Sequence, residues 1–233
     1  MYRKIIYQKY LTSLTPIDEI EKIFSTPMKF QKEIIDVLPK DKEAKIIDLG
    51  CGYGRLLNSL KSMGYKNLYG VEIGKEESQF LKHKGFNIIN TDIIEFLKSN
   101  KEKFDVIFMM DVLEHFKKDE IVEILPLLKR MQKGSIIIRV PNAEAIFKGS
   151  IMYGDFTHET FFTKRSFIQL FKVFGFEDVR IYPAYSFSDT LKGKVKKAIY
   201  LSYVKWYKFL LSLDNPASVE YFIPTQNLLG IVK

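Results

Sequence analysis

One stretch of the chain is more informative than any other, and it reads Ile46-Ile47-Asp48-Leu49-Gly50-Cys51-Gly52-Tyr53-Gly54-Arg55. A short apolar run passes through three alternate glycines and continues as a helix-like segment. Nearly continuous apolar runs are typical of strands that are buried on both faces of a parallel sheet. Glycines let the backbone turn sharply and approach a ligand closely, and the N-terminus of the next helix offers amide donors. The stretch therefore predicts a strand, a turn and a helix that hold a cofactor.

The same alternation of apolar runs and helical segments recurs along the chain. Seven strands are predicted, at Lys45–Leu49, Leu68–Ile73, Asn87–Asn90, Phe104–Met110, Ser135–Val140, Asp178–Tyr182 and Asn227–Val232. The helices between them are expected at Tyr53–Met63, Lys75–Lys84, Glu120–Met131 and Lys164–Phe174. Pro126 should kink or divide the third of these helices. Strands that alternate with helices predict an α/β, Rossmann-like, doubly wound sheet, in which we expect the last strand to be antiparallel.

Length and composition bound the organisation of the chain. The 233 residues, 46% hydrophobic and 27% charged, suit one globular domain. We divide it into an N-terminal helical cap (1–41, with helices Ile17–Phe24 and Met28–Leu38), a cofactor-binding core (42–183), a helical insertion (184–226) and a last strand (227–233). A single cysteine excludes a disulfide framework. The sequence shows neither a signal peptide nor a membrane-spanning apolar run, so we expect a cytoplasmic location.

Acidic residues at the ends of neighbouring strands identify the kind of cofactor. A dinucleotide fingerprint requires glycine at its sixth position, where this chain has Arg55. Asp48 ends the first strand, Glu72 ends the second, and Asp92 follows the third. The Glu72 carboxylate can bind both hydroxyls of a ribose, and Asp92 can accept a hydrogen bond from an adenine amino group. Ligands bind at the carboxyl ends of strands in open α/β sheets, so these residues predict an adenosine site.

These motifs resemble those of the class I S-adenosylmethionine-dependent methyltransferase family. The segments DLGCGYGR (48–55), GVEI (70–73) and FDVIFMMDVLEHF (104–116) are similar to the family's first, second and fourth motifs, and the resemblance spans about residues 25–183. It implies S-adenosylmethionine as cofactor, bound by Asp48, Gly50, Cys51, Gly52, Glu72, Ile73, Thr91, Asp92, Ile93, Met110 and Asp111. A purely structural role is also possible at three positions: Gly54 and Cys51 could serve packing alone, and Asp92 could cap a helix.

Two of the three histidines, His115 and His158, follow strands where a methyl acceptor should lie. Histidine titrates near neutral pH, so either residue is a candidate general base. The segment "PNA … YGDFTHE … FT" resembles methyltransferases of bacterial surface polysaccharide and other glycan biosynthesis. That resemblance implies a sugar hydroxyl as acceptor, with Asn142, Tyr153, Asp155 and Glu159 binding it. Asp155 and His158 could instead only brace their loop. Asp155, His158 and Glu159 could also hold magnesium or manganese, but one short cluster is insufficient and no metal is predicted.

The positive charge is concentrated near the C-terminus. Six lysines and no acidic residue lie between Thr190 and Leu213, and without them the net charge of +8 would fall to near +2. Val195, Ile199, Trp206, Leu210 and Leu213 share one helical face and four lysines the opposite one. The segment Lys192–Leu213 could therefore contact an anionic membrane at its inner face, pack on the domain with its lysines solvated, or form a homodimer contact. Such local basicity is not a nucleic-acid footprint, so no nucleic-acid partner is expected.

Competing functions remain open from sequence. RNA or protein methylation is one, although the tetrapeptide NPPY of many amino-group methyltransferases is absent after the fourth strand. A non-catalytic protein that binds S-adenosylmethionine is another, and a nicotinamide-dependent oxidoreductase is a third. The reading we favour is methyl transfer from S-adenosylmethionine to the oxygen of a sugar.

Overall fold

The computed structural model describes residues 6–7, 16–184 and 190–233. Its strands are β1 (Ile46–Leu49), β2 (Leu68–Glu72), β3 (Asn87–Asn90), β4 (Phe104–Met110), β5 (Gln132–Pro141), β6 (Val179–Ala184) and β7 (Asn227–Val232). Its helices from residue 16 onward are α1 (Ile17–Ser25), α2 (Lys32–Ile35), α3 (Arg55–Ser62), α4 (Lys75–His83), α5 (Ile93–Ser99), α6 (Lys118–Met131), α7 (Gly149–Tyr153), α8 (Lys164–Val173), α9 (Leu191–Asp214) and α10 (Pro216–Tyr221), and a 3₁₀ turn spans Leu113–His115.

The strands form one sheet in the order β3-β2-β1-β4-β5-β7-β6. Strands β1 to β5 pair in parallel, and β7 is antiparallel to both β5 and β6. The predicted doubly wound sheet with an antiparallel last strand is confirmed. The chain winds outward from β1 in opposite directions, first to β2 and β3 and later to β4 and β5. Such a reversal leaves a crevice at the carboxyl ends of the central strands.

The sheet is covered on both faces, as the apolar runs predicted. Ile107 and Met109 of β4 belong to one buried cluster, and Val106 and Phe108 belong to the other. All four side chains are fully buried. Successive residues of a strand point to opposite faces, so one apolar run supplies both cores. A rigid central strand results, and the crevice is built on its carboxyl end.

Several predicted boundaries need correction. Pro126 does not divide α6, because it lies on the exposed side of that helix, where water can satisfy the carbonyl group that the proline leaves unpaired. Only Lys32–Ile35 of the predicted helix 28–38 is helical. No bounds were predicted for α5, α7 and α10, although a cap at Asp92 anticipated a helix after it and residues 184–226 were expected to be helical. These helices are five to seven residues long, too short for a helical period to show. Residues 1–5 and 8–15 of the predicted cap, and 185–189 of the predicted insertion, lie outside the described residues.

Candidate active site

A cleft of about 1290 Å³ opens at the carboxyl ends of the central strands. Its volume exceeds the roughly 300–1,000 Å³ of an ordinary small-molecule site, so it has space for a cofactor and an acceptor together. One side of the cleft contains the glycine-rich turn and the ends of β2 and β3. The other side contains the end of β4 and the loop after α7. Predicted residues from both sets, among them Glu72 and Asp92 on the cofactor side and His115 and His158 on the acceptor side, thus face a common cavity.

The glycine-rich turn can be built only with glycine. Gly50, Gly52 and Gly54 have φ values of 80°, 50° and 72°, a region that side chains rarely adopt. A Cβ at Gly50 would lie 2.6 Å from Cγ2 of Val112, and one at Gly54 would lie 2.4 Å from Cδ2 of Leu81. Gly54 therefore allows close packing of the turn against Leu81, which is the structural role considered for it from sequence. Gly50 and Gly52 line the cleft.

Glu72 is fixed beside this turn by two backbone amides. Its carboxylate accepts hydrogen bonds from the N–H groups of Gly52 and Gly74, each at 2.8 Å. Burial nevertheless raises the pKa of the carboxyl, although both amide bonds act to lower it. Each carboxylate oxygen keeps a further acceptor position, so the side chain is held in place and can still accept from a ribose.

Asp48 lies beneath the turn, and its side chain does not line the cleft. It is 3% exposed, and its Oδ1 has no hydrogen-bond partner among the described residues. Burial, and secondly the charge of Glu72, raise the pKa of Asp48 to about 8. Cys51 and Thr91 are also absent from the cleft wall. The structure supports packing for Cys51, whose Sγ would lie 2.7 Å from a Cβ at Gly70.

The adenine end of the cleft combines apolar and polar groups. Ile73, Ile93 and Asp92 line it, and the Ile73 side chain is 40% exposed there. Asp92 caps α5, accepting from the amides of Ile94 at 2.7 Å and Glu95 at 3.4 Å. The capping role is thus present, and the same residue borders the cavity. Carboxylates beside apolar walls and a glycine-rich turn fit the ribose, the adenine ring and the amino acid part of S-adenosylmethionine.

Asp111 marks the point where the two halves of the cleft meet. It is the one non-glycine residue with positive φ in the described chain, at 57°, which is a strained conformation. Arg139 of β5 holds it with a two-pronged ion pair: Nε donates to Oδ1 at 2.8 Å, and a terminal nitrogen donates to Oδ2. Met110 and Asp111 both line the cleft, as predicted.

The acceptor side contains His115 and His158 with their ring centroids 4.8 Å apart. Burial, and secondly the neighbouring His158, lower the pKa of His115 to about 4. Thr157 Oγ1 lies 2.8 Å from Nδ1 of His115 and 2.7 Å from the Asp155 carboxylate. Nδ1 of His158 lies 3.1 Å from the Met152 carbonyl oxygen. The two histidines, distant in sequence, therefore share one wall of the cavity.

The predicted acceptor-binding residues separate into two groups. Asp155 lines the cleft, whereas Tyr153, Glu159 and Asn142 do not. Tyr153 is 72% exposed and packs its ring against Phe161. The structure contradicts the expectation that Asn142 binds the acceptor, because its side chain is fully buried. Its amide group donates to the carbonyls of Ile223 at 2.6 Å and Thr225 at 2.8 Å, so it braces the loop before β7.

Glu114 and Arg139 are site residues that the sequence reading did not assign. Glu114 is 1% exposed, lines the cleft, and burial raises the pKa of its carboxyl well above its usual range. Its position directly before His115 in "DVLEHF" could have indicated a site residue, since a neighbouring carboxylate and imidazole can both bind a polar ligand. Arg139 carried no such signal, because its partner Asp111 follows a different strand, β4, and lies 28 residues away in sequence.

When bound, S-adenosylmethionine supplies a methyl group on a positively charged sulfur, and the protein supplies position and a proton acceptor. Glu72 and the glycine turn would hold the nucleoside of this cofactor at one end of the cleft. Asp111, Glu114 and the two imidazoles surround the other end, where an acceptor's attacking atom must lie. Imidazole nitrogens there can receive the proton that leaves a hydroxyl group.

Comparison with known proteins agrees with this geometry. A family model described as "Methyltransferase domain" matches residues 23–181. A ubiquinone biosynthesis O-methyltransferase of Bartonella tribocorum is 31% identical over 93 residues, which cover 38% of this chain and 37% of that protein. The chain thus spans little more than a third of that relative.

Solved structures share the fold at lower identity. A SAM-dependent methyltransferase from Archaeoglobus fulgidus superposes with a TM-score of 0.64 at 24% identity, over 87% of this chain and 90% of that one. A possible histamine N-methyltransferase from Thermotoga maritima gives 0.62 at 16% identity, over 100% and 99%. The family match and the cofactor motifs favour a methyltransferase over a nicotinamide-dependent oxidoreductase or a non-catalytic binding protein. The chain belongs to the methyltransferase domain family and is an S-adenosylmethionine-dependent methyltransferase.

Proposed function

We propose that the protein transfers a methyl group to a hydroxyl oxygen of a sugar, in a cell-surface glycan or its lipid-linked precursor. The observation that carries this proposal is the polar wall of the acceptor side. Glu114, His115, Asp155 and His158 line it together, beside the end of β4. Hydrogen-bonding groups at this density suit an acceptor that presents several hydroxyls. The acceptor atom named for the Bartonella tribocorum relative, oxygen, supports the same reaction class.

The reaction requires a proton to leave the acceptor as the new bond forms. An oxygen lone pair attacks the methyl carbon, the carbon–sulfur bond breaks, and its electron pair remains on sulfur. His115 and His158 are the imidazoles within reach of that hydroxyl. His158 Nδ1 lies by a carbonyl oxygen and must donate to it, which leaves the lone pair on Nε2 to receive the proton.

Methyl-labelled S-adenosylmethionine and a panel of acceptors test this function. The panel contains nucleotide sugars, lipid-linked sugars, polysaccharide, a polyprenyl-substituted catechol and RNA. We expect label in a sugar-bearing acceptor, in an ether bond that resists alkaline hydrolysis. Label only in RNA, only in protein or only in the catechol would overturn the glycan proposal. Glu72→Gln is the negative control, since it removes a carboxylate from the cofactor side.

A lipid-linked acceptor would require the enzyme to work at a membrane, and α9 has a surface suited to that. Among the described residues, no helix is both long and apolar enough to span a bilayer. The 24-residue α9 contacts the rest of the protein along one side, where Gly193 and Val204 are buried and Tyr200 donates to the Pro224 carbonyl at 2.7 Å. Its opposite side is an exposed apolar stripe, consisting of Leu191, Val195, Ile199, Trp206, Phe209, Leu210 and Leu213.

We propose that this stripe lies on an anionic lipid surface. Trp206 is 57% exposed and Ile199 is 66% exposed, so the domain does not cover them. Lys194 and Lys205 flank the stripe on one edge, and Lys192 and Lys196 flank it on the other. Each lysine close to an anionic membrane contributes ~1 kcal/mol. An apolar stripe between basic edges is complementary to acyl chains beneath anionic headgroups.

The only tryptophan of the chain lies in the stripe and reports on its surroundings. We expect its emission to shift to shorter wavelength, and the protein to co-sediment, with vesicles that contain phosphatidylglycerol. Lys194→Glu/Lys205→Glu should abolish both effects. Lys101→Glu/Lys103→Glu, which changes the charge equally at an exposed loop, should not. Equal behaviour of the two double variants, or a shift that appears only on dimerisation without lipid, would refute membrane binding.

A further inference from the structure

Three potential metal ligands from two distant segments meet in the acceptor side of the cleft. Glu114, His115 and His158 each present one ligand atom, and these atoms lie within 4.8 Å of one another. All three residues line the cavity. Backbone bonds fix the segments together, because the amides of Glu159 and Thr160 both donate to the Glu114 carbonyl, at 2.9 and 3.0 Å. The cluster is therefore built by the fold and does not depend on a mobile side chain.

The buried carboxylate of Glu114 indicates that this cluster binds a cation. Its side chain is 1% exposed, and neither carboxylate oxygen has a hydrogen-bond partner among the described residues. Burying an unpaired carboxylate is costly, and buried polar groups are nearly always satisfied. Neither the cofactor site nor the packing of the 3₁₀ turn explains an acidic residue here. A cation bound at the cluster would provide this carboxylate with the partner of opposite charge that the fold does not supply.

The surrounding hydrogen bonds orient the imidazoles as they do in metal sites. Thr157 Oγ1 donates to Asp155 Oδ1 at 2.7 Å, so towards His115 it acts as acceptor and Nδ1 of that ring carries the hydrogen. Nδ1 of His158 carries its hydrogen for the same reason, because it faces the Met152 carbonyl. Both rings thus have their lone pair on Nε2. Metal-binding histidines typically donate their other N–H to a carbonyl, or towards a carboxylate, in this way.

We infer that Glu114, His115 and His158 bind one divalent cation, which in turn binds the acceptor hydroxyl. Two imidazoles and one carboxylate suit Mn²⁺, Fe²⁺, Co²⁺ or Zn²⁺ better than Ca²⁺ or Mg²⁺, which prefer all-oxygen ligands. Three protein ligands leave coordination positions open, and vicinal hydroxyls of a sugar could occupy two of them. The cluster differs from the set considered from sequence, with which it shares only His158.

This inference rests on the proposed function and changes the role of the imidazoles within it. A hydroxyl bound to a cation is more acidic, so its proton can pass to a water molecule of the open cleft. The oxygen lone pair then forms the bond to the methyl carbon while the carbon–sulfur bond breaks toward sulfur. The histidines act as ligands in this scheme, and Asp155 and Thr157 position His115.

Cation binding can be measured without any acceptor. The full chain is treated with EDTA, dialysed and titrated with Mn²⁺, whose free aqueous signal in electron paramagnetic resonance disappears on binding, and with Co²⁺ by visible absorption. We expect one cation per chain. Loss of a residue that only hydrogen-bonds to a metal ligand weakens metal binding roughly 10- to 100-fold. Glu114→Gln and His158→Ala, which remove ligands themselves, should weaken Mn²⁺ binding by at least as much. His83→Gln, at an exposed histidine outside the cleft, should bind as the unchanged protein does.

The outcomes separate this inference from the proposed function. Absence of bound Mn²⁺ and Co²⁺, or unchanged binding by Glu114→Gln with a native circular dichroism spectrum, would overturn the cation site. EDTA-treated protein that methylates a sugar at the full rate would also overturn it, and would leave sugar methylation standing. Cation binding as expected, with label only in a non-sugar acceptor, would support the site and overturn the sugar.

Discussion

Replacing Asp48 with Asn tests the electrostatics beneath the glycine-rich turn. The Asp48 carboxyl is 3% exposed, and burial raises its pKa to about 8. In the unfolded chain an aspartate titrates near ~3.9. Because the folded pKa is the higher one, this group's contribution to stability is complete below about pH 4 and is lost as the pH rises to about 8.

The size of the loss follows from the two pKa values. A difference of about 4 in pKa corresponds to ~5 kcal/mol, of which about 4 kcal/mol falls between pH 5 and pH 9. That is comparable with the whole free energy of unfolding of many domains, roughly 5–15 kcal/mol. Asn has nearly the same shape and no charge. Asp48→Asn should therefore be more stable than the unchanged protein at about pH 9 and differ less at about pH 5.

Urea unfolding followed by circular dichroism, without cofactor, measures this difference. Burial also raises the pKa of Glu72. The free energy of unfolding of Asp48→Asn should therefore still fall as the pH rises, but less steeply than that of the unchanged protein. Asp214→Asn, at an exposed aspartate that ends α9, is the matched control and should follow the unchanged protein. The reasoning is refuted if Asp48→Asn is less stable than the unchanged protein at about pH 9, or if its stability falls with pH as steeply as that of the unchanged protein.

Three further substitutions have defined expectations. Gly50→Ala should lower the free energy of unfolding by ~1–3 kcal/mol, since it forces a side chain into positive φ against Val112, and should weaken S-adenosylhomocysteine binding in calorimetry. Glu72→Gln should weaken binding of the same ligand at least tenfold while melting near the native temperature, and unchanged affinity would exclude a ribose contact. Asn142→Ala should cost ~1–3 kcal/mol in urea, because it strips two buried carbonyls of their donors; unaltered stability would show that water replaces the amide.

Local sequence was sufficient for the cofactor half of the cleft. The glycine turn and Glu72 belong to a strand–turn–helix unit and to the adjacent strand, and parallel pairing brings strand ends together automatically. The alternation of strands and helices likewise predicted the doubly wound parallel part of the sheet. The bounds of short helices such as α5 were not predicted, because about two turns show no clear period, but the cap at Asp92 that was one of its two expected roles is present.

The acceptor half was settled only by tertiary structure. Glu114 and His158 are more than forty residues apart, and nothing in their spacing shows that their ligand atoms meet. Asn142 was expected to bind the acceptor because of the resemblance of its segment to glycan methyltransferases, yet the loop before β7 covers it and accepts both hydrogens of its amide group. Whether a side chain is buried, and what it contacts, depends on which distant segments of the chain pack over it. The sequence alone shows this packing only where a local motif determines it. The sequence of this protein therefore predicted the residues of the cofactor half of the cleft that meet at the strand ends, whereas the packing of the 152–160 loop on the end of β4 decided which side chains line the acceptor half.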